Sequence, residues 1–484
     1  MKDFTIIGSG AGGSSAALEL LENGYSVEVF EEGYEYDLND KTMMQGLISL
    51  WRNNGINLFY GRPILNFGEG KCVGGSTVIN GGVIVNTPKK ILDGWDKIIG
   101  EKFFLEDDFS KICEDIKKKL VPQISDNNLN KMSGSSKILI DAATKKNYLT
   151  KSTNLAFNNL DIQNNGPFGC SKGSKNSLDR NYHKLIKSLN GSIIPNSKII
   201  ELVRKNKKIN EIVIENTQTK EKKFHKVKNL ILSAGPTQTP KIILTNNLSK
   251  HVNPLNFHMN LKILCFYENE IESYKSSLLT HHVREFDNDG VLFMASNYIK
   301  PLIASYLNNQ PAYSIKNLMS EYKNGSVFNC QIQPNFSVAQ INKNFTKKDI
   351  KIFWKLDDRD FFKIKKYLKI LIELIFLSGA KKVLLPIENS SEIFSQFDKA
   401  ITKIDNLRKK DIEITSVHAM SSCSLSKNEN NIVNNFGLLK SFENIYIMDS
   451  SLLPTNTGQH PQLTIMSLVK KLIQKNMQYH KFKI

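Results

Sequence analysis

The chain has 484 residues, 40% of them hydrophobic, and a formal net charge of +18. This length exceeds one ordinary domain and predicts two or three lobes with enough apolar content for a core. The charge excess would suit nucleic acid, but the lysines lie in short clusters such as Lys117 to Lys119 without interleaved aromatics, which excludes a base-stacking surface. Weak attachment to an anionic membrane surface is the second reading of that charge.

Phe4 to Ile7 is a short apolar, β-branched run that predicts a buried parallel strand. Gly8, Gly10 and Gly13 follow as G-x-G-x-x-G, and Ser14 to Asn23 reads as a helix ending at Gly24. Ser26 to Phe30 is the next strand and ends at Glu31, at roughly the 20-residue spacing of a ribose-binding acid. Strand, glycine turn, helix and strand make a dinucleotide-binding half-unit, whose helix N-terminus offers unpaired N–H groups to a pyrophosphate. The motif by itself does not separate NAD from FAD.

Periodicity fades until Gly68 to Pro88, whose glycines are too dense for a regular element and let main chain pass close to a flat ligand. Helices are expected over Asp107 to Leu120 and Ser135 to Lys146, with a loop over Asn164 to Lys175. Ile193 to Ile214 reads as strand, turn and strand, Asn229 to Ser233 as a buried strand, and Thr239-Pro240 as the start of a helix. Strand character recurs at Leu261 to Tyr267, Val291 to Ile299, Val327 to Val338, Lys351 to Trp354 and Lys382 to Leu385, around a long helix from Asp357 to Ser378. Strands clustered without alternating helices predict an antiparallel sheet separate from the parallel one. Near the end, Ile445 to Met448 is a strand leading to Asp449, and His460 stands directly before a helix opened by Pro461.

Cys72, Cys113, Cys170, Cys265, Cys330 and Cys423 never approach a C-x-x-C or zinc spacing, so free thiols and no metal site are expected. No charged-then-apolar leader precedes the first strand, and no apolar run nears the roughly 20 residues of a membrane span. A soluble cytoplasmic protein is the expectation.

The N-terminal fingerprint, GKCVGGSTVINGG, LILSAGPTQTPKIIL and IYIMDSSLLP…HPQLTIM together resemble, in order and spacing, the glucose-methanol-choline (GMC) family of FAD-dependent oxidoreductases. The resemblance implies an α/β protein: a Rossmann-type FAD-binding domain with a parallel sheet, plus an α+β substrate domain on an antiparallel sheet. It implies FAD-binding segments at 1–90, 188–250 and 411–484, a cap at 91–187 and a substrate domain at 251–410. Gly8, Ser9, Gly10, Ala11 and Gly13 would surround the pyrophosphate and Glu31 the ribose; Gly74, Gly75, Ser76 and Asn80 would pass near the isoalloxazine. Ile199, Ala234 and Gly235 would contact the nucleotide side, Asp449 and Ser450 the ribityl and pyrophosphate portion, and the helix after Pro461 the pyrimidine ring.

His418 and His460 stand where the family places its flavin-facing pair. Removing a hydroxyl proton as hydride leaves carbon suits an imidazole, so His418 is expected as base and His460 as its hydrogen-bonding partner, the reverse staying open. The other seven histidines, including His258, His281 and His282, are expected to be structural. Ile79 replaces the histidine that bonds flavin covalently in some members, so FAD should be non-covalent. Ser421, Ser422 and Ser424 replace a glycine and a basic residue, and a glycine ahead of His258 is missing; these departures bear on pocket shape and substrate. The expected activity is oxidation of a small-molecule alcohol or polyol by hydride transfer to flavin N5, the electron acceptor (oxygen, quinone or redox protein) being open. The alternatives are a lyase or other non-redox enzyme on the same fold, or the flavoprotein subunit of a membrane-associated dehydrogenase complex.

Overall fold

A computed structural model describes the chain apart from residues 37–41, 123–131, 159–165, 171–173, 276–278, 308–309, 345, 347 and 483–484. Two sheets organise it. The first has five strands, in the order Ile445–Ile447, Asn229–Leu232, Phe4–Ile7, Val27–Phe30 and Ser192–Ile194, all parallel. Phe4–Ile7 is its centre, flanked by Val27–Phe30 and Asn229–Leu232, and the C-terminal strand Ile445–Ile447 lies beyond the latter. Because both faces of a parallel sheet are covered, four of these strands are buried throughout, and only the edge strand Ser192–Ile194 is partly exposed. The helices Ala11–Glu22 and Gln462–Gln478 pack on each other, and Asp107–Leu120 packs on the latter, in one continuous core with the sheet. The first helix begins at Ala11, three residues earlier than the apolar pattern implies, since Gly12 and Gly13 are already helical.

The second sheet has nine strands, and its centre is Met259–Phe266 paired antiparallel with Gly325–Ile332, which in turn pairs with Val291–Ala295 and then His281–Val283. Along Met259–Phe266 the residues alternate in destination. Met259, Leu261, Ile263 and Cys265 enter an apolar core with the long helix Asp358–Leu377 and the helix Gly134–Lys145. Asn260 and Lys262 turn to the opposite face, which looks toward the first sheet's lobe and lines a cavity. The strand Ile414–Ser416 joins this sheet to Leu65–Phe67 in parallel, bringing chain from both ends to the same edge.

Several elements differ from expectation. The glycine-dense stretch holds one helical turn, Ser76–Ile79, which glycines at 74 and 75 lead into rather than prevent. A helix Met43–Leu50 was not evident from periodicity, being short, yet it carries a capping box: Thr42 Oγ1 accepts from Gln45 N at 3.2 Å, and Thr42 N donates to Gln45 Oε1 at 2.8 Å. Lys89–Ile99 is a further helix, ended by Gly100 in the left-handed conformation. The strand expected over Val327 to Val338 stops at Ile332, ahead of Pro334, and Ala339–Asn344 instead forms a hairpin with Asp349–Trp354. Part of the loop expected over Asn164 to Lys175 lies outside the described residues. All six cysteines are buried and unpaired. Among the described residues no helix is long and apolar enough to cross a membrane, and no cluster could hold a metal ion.

Candidate functional site

A cavity of about 940 Å³ lies between the two sheets, at the carboxyl ends of the parallel strands. Its floor is the glycine turn. Gly8 has φ +100°, and a Cβ there would lie 2.3 Å from Ser233 O; one on Gly13 would lie 1.9 Å from Gly8 O. Those two glycines let the turn, the helix and the neighbouring strand touch. Gly10 differs: its φ is −74°, and the nearest atom to a Cβ would be Gly75 Cα at 3.9 Å. Nothing in the protein demands glycine there; the space in front of it is the cavity. The helix Ala11–Glu22 has no side-chain cap and no acid in its first turn, so its leading N–H groups face that space unneutralised.

Glu31 ends the second strand, buried, with Oε2 accepting from Ser9 N at 2.9 Å and Ser9 Oγ at 2.8 Å, and Oε1 from Gly33 N at 2.8 Å. Burial pushes its carboxyl above the usual range against those bonds. Ser9 Oγ also accepts from Gly74 N at 2.9 Å, tying the first glycine turn to the second. Ser9 is therefore a strut rather than a wall, and Ser9, Gly13 and Gly74 do not line the cavity. Gly8, Gly10, Ala11, Glu31, Gly75, Ser76, Asn80, Ile199, Ala234, Gly235, Asp449, Ser450 and Pro461 do.

The helical turn after Gly75 is held from below by Lys175, whose buried Nζ donates to Val78 O at 2.9 Å and Asn80 O at 2.5 Å. Asn80 Nδ2 donates to Gln462 Oε1 at 2.5 Å, fastening this turn to the first turn of the C-terminal helix. That helix also lacks a side-chain cap and an early acid, so a second free N-terminus opens on the cavity. Asp449 lines the cavity but its oxygens are spoken for: Oδ2 accepts from Gly235 N at 2.9 Å and Thr239 Oγ1 at 2.5 Å, and Oδ1 from Ser451 N at 2.8 Å. Its side chain thus staples two strand ends together. Sequence reasoning missed Arg52, which links Glu69 and Glu32 at 2.8 Å each, while Thr237 Oγ1 donates to Glu69 at 2.6 Å. Thr42-x-x-Gln45, which starts the helix leading to Arg52, is the signal that could have drawn attention to that region.

The chemistry-bearing groups gather where the C-terminal helix begins. His418 follows the strand Ile414–Ser416, His460 directly precedes Pro461, and both line the cavity. Their ring centroids are 5.0 Å apart at 77°. Two histidines expected to be structural join them. His258 and His418 share a hydrogen bond between their Nδ1 atoms at 3.1 Å, and the His282 ring stacks on His460 at 5.5 Å and 22°. The four are 258, 282, 418 and 460 in sequence, and only the pairing of strands brings them together; nothing local marks the first two.

Burial lowers every one of them. His418 falls to about 4, with the neighbouring Lys262 charge adding to the effect, and His282 to about 3. His258 and His460 fall well below the ordinary imidazole value. All four are neutral at pH 7. His258 Nε2, both His282 nitrogens and His460 Nδ1 are buried without a hydrogen-bond partner among the described residues, an unusual density of unsatisfied groups for a packed interior. With Nδ1 engaged by His258, His418 presents Nε2 to a cavity ligand. The remaining histidines are structural or at the surface: His183 bonds Ser14 Oγ at 2.9 Å, His225 bonds Glu28 at 2.6 Å, His251 and His480 are exposed, and His281 is half-buried.

The FAD implied by the resemblance fits this donor set: two uncapped helix N-termini, an open approach at Gly10, and a cavity long enough to run from Ile199 to His418. Comparison with known proteins agrees. Family models described as GMC oxidoreductase match residues 4–262 and 337–468. An uncharacterized GMC-type oxidoreductase of Sinorhizobium fredii is 23% identical over 492 residues, covering 98% of this chain and 94% of its own length. A long-chain-alcohol oxidase of Arabidopsis thaliana is 19% identical over 508 residues, covering 96% of this chain and 67% of its own. Among solved structures, pyridoxine 4-oxidase from Mesorbium loti superposes with a TM-score of 0.73 at 12% identity over 100% of both chains. Formate oxidase does so with 0.73 at 13% identity, over 99% of this chain and 98% of its own. At such identities the structural likeness establishes the fold.

Proposed function

The chain belongs to the GMC oxidoreductase family, and from that premise we propose that it oxidises an alcohol or polyol to the carbonyl, with FAD held non-covalently and His418 as base. The observation that carries this reading is the neutral His418–His460 pair on the cavity wall, beside a free helix N-terminus. When bound, FAD supplies the hydride acceptor. The turns at Gly8–Ala11 and Gly75–Asn80 and the pair Gly235–Asp449 would hold it, and the helix beginning at Gln462 would favour negative charge at its end of the cofactor. Ile79 on the cavity wall offers no nucleophile, in keeping with non-covalent attachment. Segments 1–90, 188–250 and 411–484 supply the holding residues, and 251–410 most of the opposite wall.

His418 Nε2 accepts the hydroxyl proton in the tautomer whose Nδ1–H is donated to His258 Nδ1. His460 hydrogen-bonds the same oxygen and orients it. Both imidazoles are neutral across the physiological range, so the base form needs no activation. Removing the proton as hydride departs avoids a free alkoxide. The similar long-chain-alcohol oxidase, pyridoxine 4-oxidase and formate oxidase are oxidases by name, which makes oxygen the acceptor to try first.

An anaerobic screen of alcohols, sugars and sterols against the purified holoprotein tests the reading. Bleaching of the flavin by some alcohol supports it; a protein that cannot be loaded with FAD, or product formed without flavin reduction, overturns it.

A further inference from the structure

The face of the antiparallel sheet that looks into the cavity carries polar side chains on its two central strands. Strand register sets Lys262 opposite Asn329, Asn329 opposite Met294, and Met294 opposite His282, so a single row crosses four strands and ends in the histidine cluster. The adjacent row pairs Asn260 with Gln331. Since side chains of paired residues share a face, all of these point the same way.

Lys262 is the cation on this wall. Its Nζ donates to Ser296 Oγ at 2.7 Å, and among the described residues it has no carboxylate partner. The part of it that remains accessible opens onto the cavity, with protein on every other side. The chain treats its other enclosed lysines differently: Lys471 is paired with both Glu106 and Asp108, and Lys175 is held by two carbonyls. An ammonium set in a sheet interior against one neutral hydroxyl is unfavourable unless something anionic completes it. Desolvation alone draws its pKa down to about 7, and its charge is felt by His418 next to it. Beside it, Asn329 Nδ2 donates to Asn260 Oδ1 at 2.8 Å, while Asn329 Oδ1 is buried without a partner.

We infer that Lys262, with Ser296, is an anion-binding wall, and that the alcohol oxidised in this cavity carries a carboxylate. This rests on the cavity's reading as an alcohol-oxidising site. One cation with a neutral hydroxyl beside it matches a singly charged carboxylate; a phosphate dianion would require further cations that this wall lacks among the described residues. Lys262 is thereby a specificity-determining residue. It anchors a carboxylate near the carbon that His418 serves, and selects against plain long-chain alcohols, whose apolar chain would leave the ammonium uncompensated.

The test uses the flavin-loaded protein and non-reducing probes, read as the change in the visible flavin spectrum on titration. Propionate, benzoate and hexanoate are compared with propionamide, benzamide and hexanamide. The carboxylates are expected to bind about 10-fold or more tightly than their amides. Lys262→Met should erase that preference and Lys262→Arg should restore part of it. Carboxylates binding no better than amides to the wild type, or a preference unchanged in Lys262→Met, overturns the inference. If Lys262→Met does not fold, the wild-type preference and Lys262→Arg decide. A carboxylate preference without bleaching by any alcohol would remove the oxidation reading and leave the anion wall; bleaching without preference would do the reverse.

Discussion

Replacing Gly10 by valine separates the glycine that serves a ligand from those that serve the fold. Gly10 sits at φ −74°, where any residue is allowed, and its Cβ would meet only Gly75 Cα at 3.9 Å. The apoprotein should therefore tolerate the change to within about 1 kcal/mol, a lost glycine N-cap being set against reduced freedom of the unfolded chain. Unfolding entropy of about 2 cal/mol/K per residue, over 484 residues, converts this into a shift in Tm of about 1 °C. The added side chain would fill the approach to the uncapped helix N-terminus and weaken FAD binding by about 100-fold or more, or roughly 3 kcal/mol. Gly13→Ala is the contrasting case. Its Cβ would lie 1.9 Å from Gly8 O, a backbone atom with nowhere to go, so that variant should fail to fold. The assays are flavin-to-protein absorbance ratio after purification, FAD titration of the apoprotein, and thermal melting without FAD. A Gly10→Val protein that retains stoichiometric flavin with wild-type affinity would refute the reasoning, as would a Gly13→Ala protein that melts normally.

His418→Ala should keep the flavin spectrum and slow substrate-driven flavin reduction by about 100-fold or more in stopped flow; unchanged kinetics would remove His418 from the mechanism. His258→Phe, which takes away the acceptor for His418 Nδ1–H, should slow the same step by about 10-fold or more without loss of FAD, and no effect would shift the base role to His460. Stability should fall on acidification. His418 is held at about 4 and His282 at about 3, both below the unfolded value near 6.5, so the unfolded chain takes up protons first as pH drops. The contribution is intact above about pH 6.5 and is lost progressively toward pH 4, which melting curves across that range would register. His282→Phe should flatten the curve, and an unchanged slope would show that His282 titrates normally.

Legibility followed the range of the forces involved. The first strand, the glycine turn and the helix are encoded within a few residues of each other, and so is the C-terminal helix opened by Pro461; hydrophobic period and turn chemistry suffice there. His418 and His460 were singled out by their positions in the segments that resemble the GMC family, and both line the cavity. His258 and His282 were not, because neither has a local mark. His258 reaches His418 by pairing of the short strand Asn256–Phe257 with Ala419–Met420, and His282 reaches His460 only after His281–Val283 joins the sheet edge. Lys262 was legible as strand yet not as part of the cavity wall, although its alternation with Leu261 and Ile263 placed a charge on the reverse face of a buried strand.

By itself, the sequence determined that a parallel dinucleotide-binding unit opens this chain, that its tail returns to that unit, and that an antiparallel sheet separates the two. The first and the third follow from local propensity and from periodicities of two and 3.6 residues, the second from the resemblance to the GMC family. Only the tertiary structure decided which glycine faces the cavity, where Asp449 spends its oxygens, and that His418, His460 and Lys262 line one cavity with His258 and His282 packed against the two histidines. These are matters of contact between residues hundreds of positions apart, and sheet register, which a single-residue slip would reverse, is what settles them.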